Sequence, residues 1–221
     1  MNKISDRLKF IFSHLPNCNY FADIGCDHGY ISQLMLKEQK CKQLVYSDIS
    51  APSLQKAQKL LSGYENAKPV CCSGLEKIDQ NVDCVLIAGM GGENIISILQ
   101  NGFLPKTLVL QPMKNIDKLR VYLNKNGYFL QKDFIFKAEN KFYNLLIAVK
   151  GSQVLSQEEI EYGIDNLQNP SKDFLEYLGL QIESKQKILK GLTNQKQIDF
   201  AKQLDKEISL YERLRIKASS K

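Results

Sequence analysis

The sequence contains no apolar run approaching the roughly 18–20 residues that cross a bilayer as a helix. Its opening stretch, MNKISDRLKFIFSHLP, is a short amphipathic pattern with Asp6, Arg7 and Lys9 inside it. It lacks both the unbroken apolar core and the small-residue cleavage site of a secretory signal. No Cys-x-x-Cys pair occurs, and no cysteine follows Cys84. The six thiols (Cys18, Cys26, Cys41, Cys71, Cys72 and Cys84) are scattered, and the adjacent Cys71 and Cys72 face opposite sides of any strand that holds them. Scattered small thiols suit a reduced compartment and argue against a disulfide framework or a zinc site. The expectation is a cytoplasmic protein with no membrane anchor and no metal.

What remains is an ordinary globular composition, 43% apolar and 24% charged over 221 residues. That length accommodates a well-buried core and a smaller appendage. The charge is unevenly spread. Residues 1–150 carry 19 Lys and Arg against 13 Asp and Glu, whereas residues 151–221 carry 11 against 11. A basic first part is compatible with a polyanionic partner without establishing one.

Short apolar or β-branched runs recur through residues 1–150: YFADI (20–24), QLVYSD (43–48), KPVCCS (68–73), VDCVLIAG (82–89) and KTLVLQP (106–112). Each ends near polar, Gly or Pro residues, as strands do. Helical stretches are expected at 29–39, 51–64, 92–102 and 115–127, the last with Gly127 as its cap. Residues 128–142 and 143–150 read as a closing hairpin. Repeated β–α units predict a mostly parallel, doubly wound sheet with an antiparallel edge, whose ligands bind at the carboxyl ends of its strands.

The pattern changes after Lys150. Ser156 and Glu159 form a capping-box signature, and Asn169-Pro170 suggests another helix start with Pro in its first position. Leu175, Leu178, Ile182, Leu189 and Leu192 keep a 3,4 spacing with Lys185 in the missing seat. Thr193-Asn194 breaks the run, and Ala201, Leu204, Ile208 and Tyr211 resume it. The reading is an antiparallel coiled-coil hairpin. Two domains are therefore expected, 1–150 and 151–221.

The first strand ends in DIGCDHG: Asp23, Gly25, Asp27 and Gly29 at alternate positions. Gly25 permits a sharp turn, and a helix beginning near Gly29 offers free N–H groups. A dinucleotide pyrophosphate calls for a full Gly-x-Gly-x-x-Gly without carboxylates in the turn. Here Asp27 replaces the middle Gly, and two anions in the turn repel phosphate. They suit a ligand with an amino group and a positive charge, and S-adenosylmethionine has both and no phosphate. Asp48 ends the second strand about 20 residues on, where a carboxylate accepts ribose hydroxyls. Ser73 and Gly74 at the third strand end flank an adenine, and IAGMGGEN (87–94) abuts the methyl group. The residues expected around the cofactor are Asp23, Gly25, Cys26, Asp27, His28, Gly29, Tyr30, Asp48, Ile49, Ser73, Gly74, Ala88, Gly89 and Met90.

The blocks ADIGCDHGYIS, SDISAPSLQKAQ, SGLEKI, VLIAGMGGENIISIL, LVLQPMKNIDKLRVYLNKNGY and KFYNLLIA resemble the successive blocks of the TrmK family, bacterial tRNA (adenine(22)-N1)-methyltransferases. The resemblance runs block by block to about residue 150 and in architecture into the C-terminal helices. The most specific block is IAGMGG, where many nucleic-acid methyltransferases carry an Asn/Asp-Pro-Pro-aromatic motif. Met113-Lys114-Asn115, where the family is more Asn-rich, and the acidic Glu93 depart from the family pattern. The resemblance implies an α/β class I, Rossmann-like S-adenosylmethionine-dependent methyltransferase with a C-terminal helical coiled-coil domain, acting on tRNA; a monomer is expected, although the sequence leaves the oligomeric state open.

It also implies adenine N1 as the acceptor. N1 carries a lone pair and no proton, so its attack needs no general base. The site must instead align the base and accept its N6 protons as charge develops. Asp27, the carbonyls of Ala88 and Gly89, and the side chains of Gln111 and Asn115 are the expected acceptors. Tyr30, Met90 and Tyr143 are the expected stacking wall for an extruded base. The methyl-transfer set is thus Asp27, Gly89, Met90, Gly91, Gln111, Asn115 and Tyr143. Two other readings stay open from the sequence: a methyltransferase of another acceptor, and a non-catalytic RNA-binding or S-adenosylmethionine-sensing protein.

Overall fold

The computed structural model describes residues 4–191 and 198–219. A helix, α1 (Asp6–His14), precedes the sheet, capped by the Ser5 hydroxyl, which accepts from the Leu8 N–H. Five strands then run parallel: β1 (Cys18–Ile24), β2 (Cys41–Asp48), β3 (Ala67–Cys71), β4 (Cys84–Met90) and β5 (Thr107–Pro112). Helices α2 (Tyr30–Lys37), α3 (Ala51–Leu60), α4 (Gly92–Gln100) and α5 (Ile116–Lys125) link or follow them. The crossover from β3 to β4, residues 72–83, carries no helix, in keeping with the four helices expected from the sequence. The long strands β6 (Tyr128–Ala138) and β7 (Lys141–Lys150) close the sheet as an antiparallel hairpin. Its turn falls at Glu139 and Asn140, both at positive φ, rather than at the expected break near residue 142.

The strand order is β3-β2-β1-β4-β5-β7-β6. Strand order reverses between β1 and β4, so a crevice opens above their carboxyl ends. Apolar side chains alternate between the two faces of the central strands. Leu86 and Val109 join Ile11, Phe21, Met35 and Leu44 on the side of α1, α2 and α3. Val85, Ile87 and Leu108 join Ile95, Leu119 and Leu123 on the side of α4 and α5. Because helices cover both faces, residues 84–88 of β4 and 108–110 of β5 are unbroken apolar runs.

Among the described residues four helices follow the sheet: α6 (Gln157–Tyr162), α7 (Ile164–Gln168), α8 (Lys172–Lys190) and α9 (Ile198–Ser219). Ser156 and Glu159 form the expected capping box. Pro170 lies outside its helix: Ser171 is the cap of α8, its hydroxyl accepting from the Phe174 N–H, which moves the start past the proline. The helices α8 and α9 run antiparallel, since Lys185 pairs with Glu207 while Phe174 and Leu178 share a core with Leu214. The seam of α9 is the expected one, extended by Leu214. In α8 the deepest seats belong to Phe174, Leu178 and Ile182, because Phe174 rather than Leu175 faces the sheet. Leu192 and Thr193-Asn194 lie outside the described residues.

The helical region is joined to the sheet by more than its linker. Ile135 and Phe142 of the hairpin pack with Tyr162, Phe174 and Leu178. Arg120 of α5, 2% exposed, forms a bidentate pair with Asp133 of β6 through Nε and Nη2 at 2.7 and 2.8 Å. Its Nη1 donates to the carbonyls of Ile160 and Glu161 at the end of α6.

Candidate active site

A cavity of about 600 Å³ opens over the carboxyl ends of β1, β2 and β4, at the point where strand order reverses. That volume is within the range of small-molecule sites. Asp23, Gly25, Cys26, Asp27, His28 and Tyr30 line it from the β1–α2 turn, Asp48 and Ile49 from the end of β2, Ser73 and Gly74 from the loop after β3, and Ala88, Gly89 and Met90 from the end of β4.

The turn is built around Gly25. Its φ is +73°, and a side chain there would meet Met90 Cε at 2.3 Å. The Gly25 and Cys26 N–H groups both donate to the Ser47 carbonyl, which ties the turn to β2. Asp48 is held at both oxygens, Oδ1 accepting from the Ser50 N–H at 2.8 Å and Oδ2 from the Asp27 N–H at 3.1 Å. Each oxygen keeps a further lone pair for a ligand hydroxyl. Asp23 is buried, and its Oδ2 accepts from the Ser32 hydroxyl at 2.7 Å. Burial pushes its carboxyl up to about 6, with nearby Asp48 adding to the rise and the Ser32 hydroxyl opposing it. Burial, then Asp23 and Asp48, push the Cys26 thiol up as well, so it stays neutral. His28 Nδ1 lies 2.8 Å from Asp27 Oδ2, and its ring stacks parallel to Tyr30 with centroids 5.7 Å apart.

Five expected residues do not line the cavity. Gly29 caps α2 and packs against Ala57 of α3. Gly91 caps α4, one residue beyond the lining. Asn115 caps α5 with its side chain at Glu93. Gln111 is fully buried, its Oε1 taken by Arg7 Nη1 at 2.7 Å and its Nε2 set against the Pro112 carbonyl. Tyr143 is buried behind Arg7, whose guanidinium carbon lies 5.6 Å from its ring centre. Glu93, unexpected beside a nucleic-acid site, is paired with Lys118.

The structure adds residues that motif reading missed. Arg7 and Leu8 of α1 line the cavity beside Gly89, where φ is +79° and a side chain would come within 3.5 Å of Arg7 Nη1. Asn94 and Ser97, one turn apart on α4, line the wall near Ser73 and Gly74. Ser47 contributes a buried hydroxyl that has no partner in the described protein. An amphipathic opening with an arginine in its first turn was the available signal for Arg7. Asn94 and Ser97 had none beyond following the glycine loop.

The donor set fits S-adenosylmethionine. Carboxylates stand where an ammonium and ribose hydroxyls require acceptors, and the partnerless Ser47 hydroxyl waits in the same cavity. Nothing in the turn neutralises a phosphate. Among the described residues, no group of three His, Cys, Asp or Glu side chains is arranged to hold a metal. No helix among them is long and apolar enough to cross a membrane.

Comparison with known proteins agrees with this chemistry. A family model described as a methyltransferase domain matches residues 4–146. A Mycoplasma pneumoniae protein named as a candidate tRNA methyltransferase is 34% identical over 170 residues, 73% of this chain and 78% of that protein. The tRNA (adenine(22)-N(1))-methyltransferase of Bacillus subtilis is 32% identical over 176 residues, 76% of this chain and 74% of the relative. The structure of M. capricolum TrmK in complex with S-adenosyl-homocysteine matches with a TM-score of 0.82 at 24% identity, covering 96% of this chain and 99% of that one, a likeness of fold.

Proposed function

The chain belongs to the TrmK family of tRNA (adenine(22)-N1)-methyltransferases, and from this premise we propose that it transfers a methyl group from S-adenosylmethionine to N1 of adenosine 22 in tRNA. The observation that carries the reading is the convergence of Asp23, Asp27 and Asp48 on one cleft that ends at a bare glycine loop. Such a cleft rejects phosphate cofactors and leaves a flat approach for a base. The bound cofactor supplies a methyl group made electrophilic by its sulfonium sulfur.

The chain's residues orient the reactants. Asp48 accepts ribose hydroxyls while its own position is fixed by the Asp27 and Ser50 N–H groups. Asp23 faces the ammonium, and the Ser47 hydroxyl finds its partner on the ligand. Cys72, Ser73, Gly74 and Ile49 enclose the adenine end. The acceptor adenine enters over Gly89 and Met90 after extrusion from the tRNA core. Its N6 protons are received by main-chain carbonyls at Ala88 and Gly89 and by Asp27. We give Gln111 no part in this, because its side chain is fully buried and does not line the cavity, its oxygen accepting from Arg7. No side chain takes a proton from N1, since N1 has none to lose. Alignment and charge stabilisation make up the catalysis.

The protein acts in the cytoplasm as a monomer, with residues 1–150 forming the catalytic domain and residues 151–221 a helical domain. The test is incubation of the purified protein with tRNA and S-adenosylmethionine, followed by mass spectrometry of the nucleosides. We expect 1-methyladenosine in the presence of both. Cofactor binding without nucleoside modification contradicts the reading.

A further inference from the structure

Two cations flank the glycine loop that receives the acceptor base, and the cofactor chemistry uses neither. At one end, Arg7 Nη1 stands 3.5 Å from where a Gly89 side chain would begin. At the other, Lys114 Cε stands 3.1 Å from the same point on Gly91. Arg7 is a built feature: the buried Gln111 accepts from it at 2.7 Å and the Tyr143 ring lies against it. Neither contact neutralises its charge. Lys114 is exposed.

A guanidinium beside this loop whose two described contacts are both to neutral groups works against the reaction, because adenine becomes cationic as N1 is methylated. A phosphate seated on the guanidinium removes that penalty, and does so only when the substrate is docked. We propose that Arg7 and Lys114 bind the RNA phosphates that bracket the extruded adenosine, holding its backbone at the two ends of the Gly89–Gly91 loop. Arg7 supplies a fixed, planar donor fork, and Lys114 a mobile point charge. These contacts carry no base information and set the register of the nucleotide over the methyl group. The assignment rests on the reading of the site as a tRNA methyltransferase.

The test is the salt dependence of tRNA affinity for wild-type protein and for Arg7→Gln, Lys114→Gln, the double variant, Arg7→Lys and Lys114→Arg. Each lost phosphate contact flattens the plot of log affinity against log salt by about 0.7–0.9. We expect that flattening in each Gln variant, about twice as much in the double variant, and the wild-type slope in the two charge-retaining variants. For the Lys114 variants, calorimetry should find S-adenosylmethionine affinity within about two-fold of wild type, a change well under one tenfold step of 1.4 kcal/mol. A wild-type slope in the Gln variants overturns the assignment while leaving the methyltransferase reading intact. Should Arg7→Gln fail to fold, the exposed Lys114→Gln decides, and an unchanged slope there overturns the proposal. Wild-type protein that binds S-adenosylmethionine but leaves tRNA unmethylated overturns the functional reading and this assignment with it.

Discussion

Asp48 has both carboxylate oxygens engaged by backbone N–H groups, so its orientation is settled before a ligand arrives. Asp48→Ala should weaken S-adenosylmethionine binding by about 1.5–3 kcal/mol, as for a lost hydrogen bond to a charged group. Calorimetry on the folded variant checks this, and unchanged affinity removes Asp48 from the site. Asp23 gives a pH dependence. Its carboxyl is raised to about 6 in the fold, against about 3.9 in an unfolded chain. Burial therefore disfavours its ionised form, and its contribution to stability falls as pH rises from about 4 through 6, then levels off. A ligand ammonium favours the ionised form, so cofactor affinity should rise over the same window. Binding near pH 6 should release a proton, read as a heat that differs between buffers of different ionisation enthalpy. Gly91 has an ordinary φ of −67°, and the nearest atoms a Cβ there would meet belong to the flexible Lys114 chain. Gly91→Val should therefore fold and bind cofactor, yet transfer methyl groups about 100-fold more slowly, a loss of roughly 2.7 kcal/mol. Near-normal single-turnover rates would move the acceptor platform away from this loop.

At the scale of elements, the strand ends were legible because each is a contiguous stretch whose apolar run stops at a carboxylate or glycine. Asp23, Asp48, Ser73 and Gly89 reach one cavity by the topology of a parallel sheet alone. What the sequence concealed depends on contacts between distant elements. Gln111 looks like a free amide at the end of β5 until α1, 104 residues earlier, sets Arg7 against it. Tyr143 belongs to the core for the same reason, since Arg7 of α1 stands over its ring and it clusters with Ile11 of the same helix. The Arg120–Asp133 pair was equally hidden, joining α5 and β6 to the end of α6. Both groups are shut away from water, so removing one leaves a buried charge uncompensated. Asp133→Asn or Arg120→Ala should cost about 3–5 kcal/mol in urea unfolding. A loss under about 1 kcal/mol would show the pair to be no anchor.

For the whole molecule, that anchor changes how the helical region must be tested. A cut at residue 156 strips Arg120 of two carbonyl partners and exposes Ile135 and Phe142, so lost activity would report damage to the sheet. Shortening the α8–α9 pair between Lys185 and Glu207 leaves the Phe174, Leu178 and Leu214 core in place. If the arm grips tRNA, the shortened protein should keep its cofactor affinity while tRNA affinity falls. Equal tRNA affinity makes the arm purely structural. Adenosine 22 as acceptor can be tested by changing that base alone. Two tRNA transcripts that differ only in adenosine or guanosine at position 22 are incubated with the protein and S-adenosylmethionine, and 1-methyladenosine is quantified by mass spectrometry. The adenosine transcript should yield the modified nucleoside and the guanosine transcript none. Equal modification of both, or of neither, contradicts adenosine 22 as the acceptor.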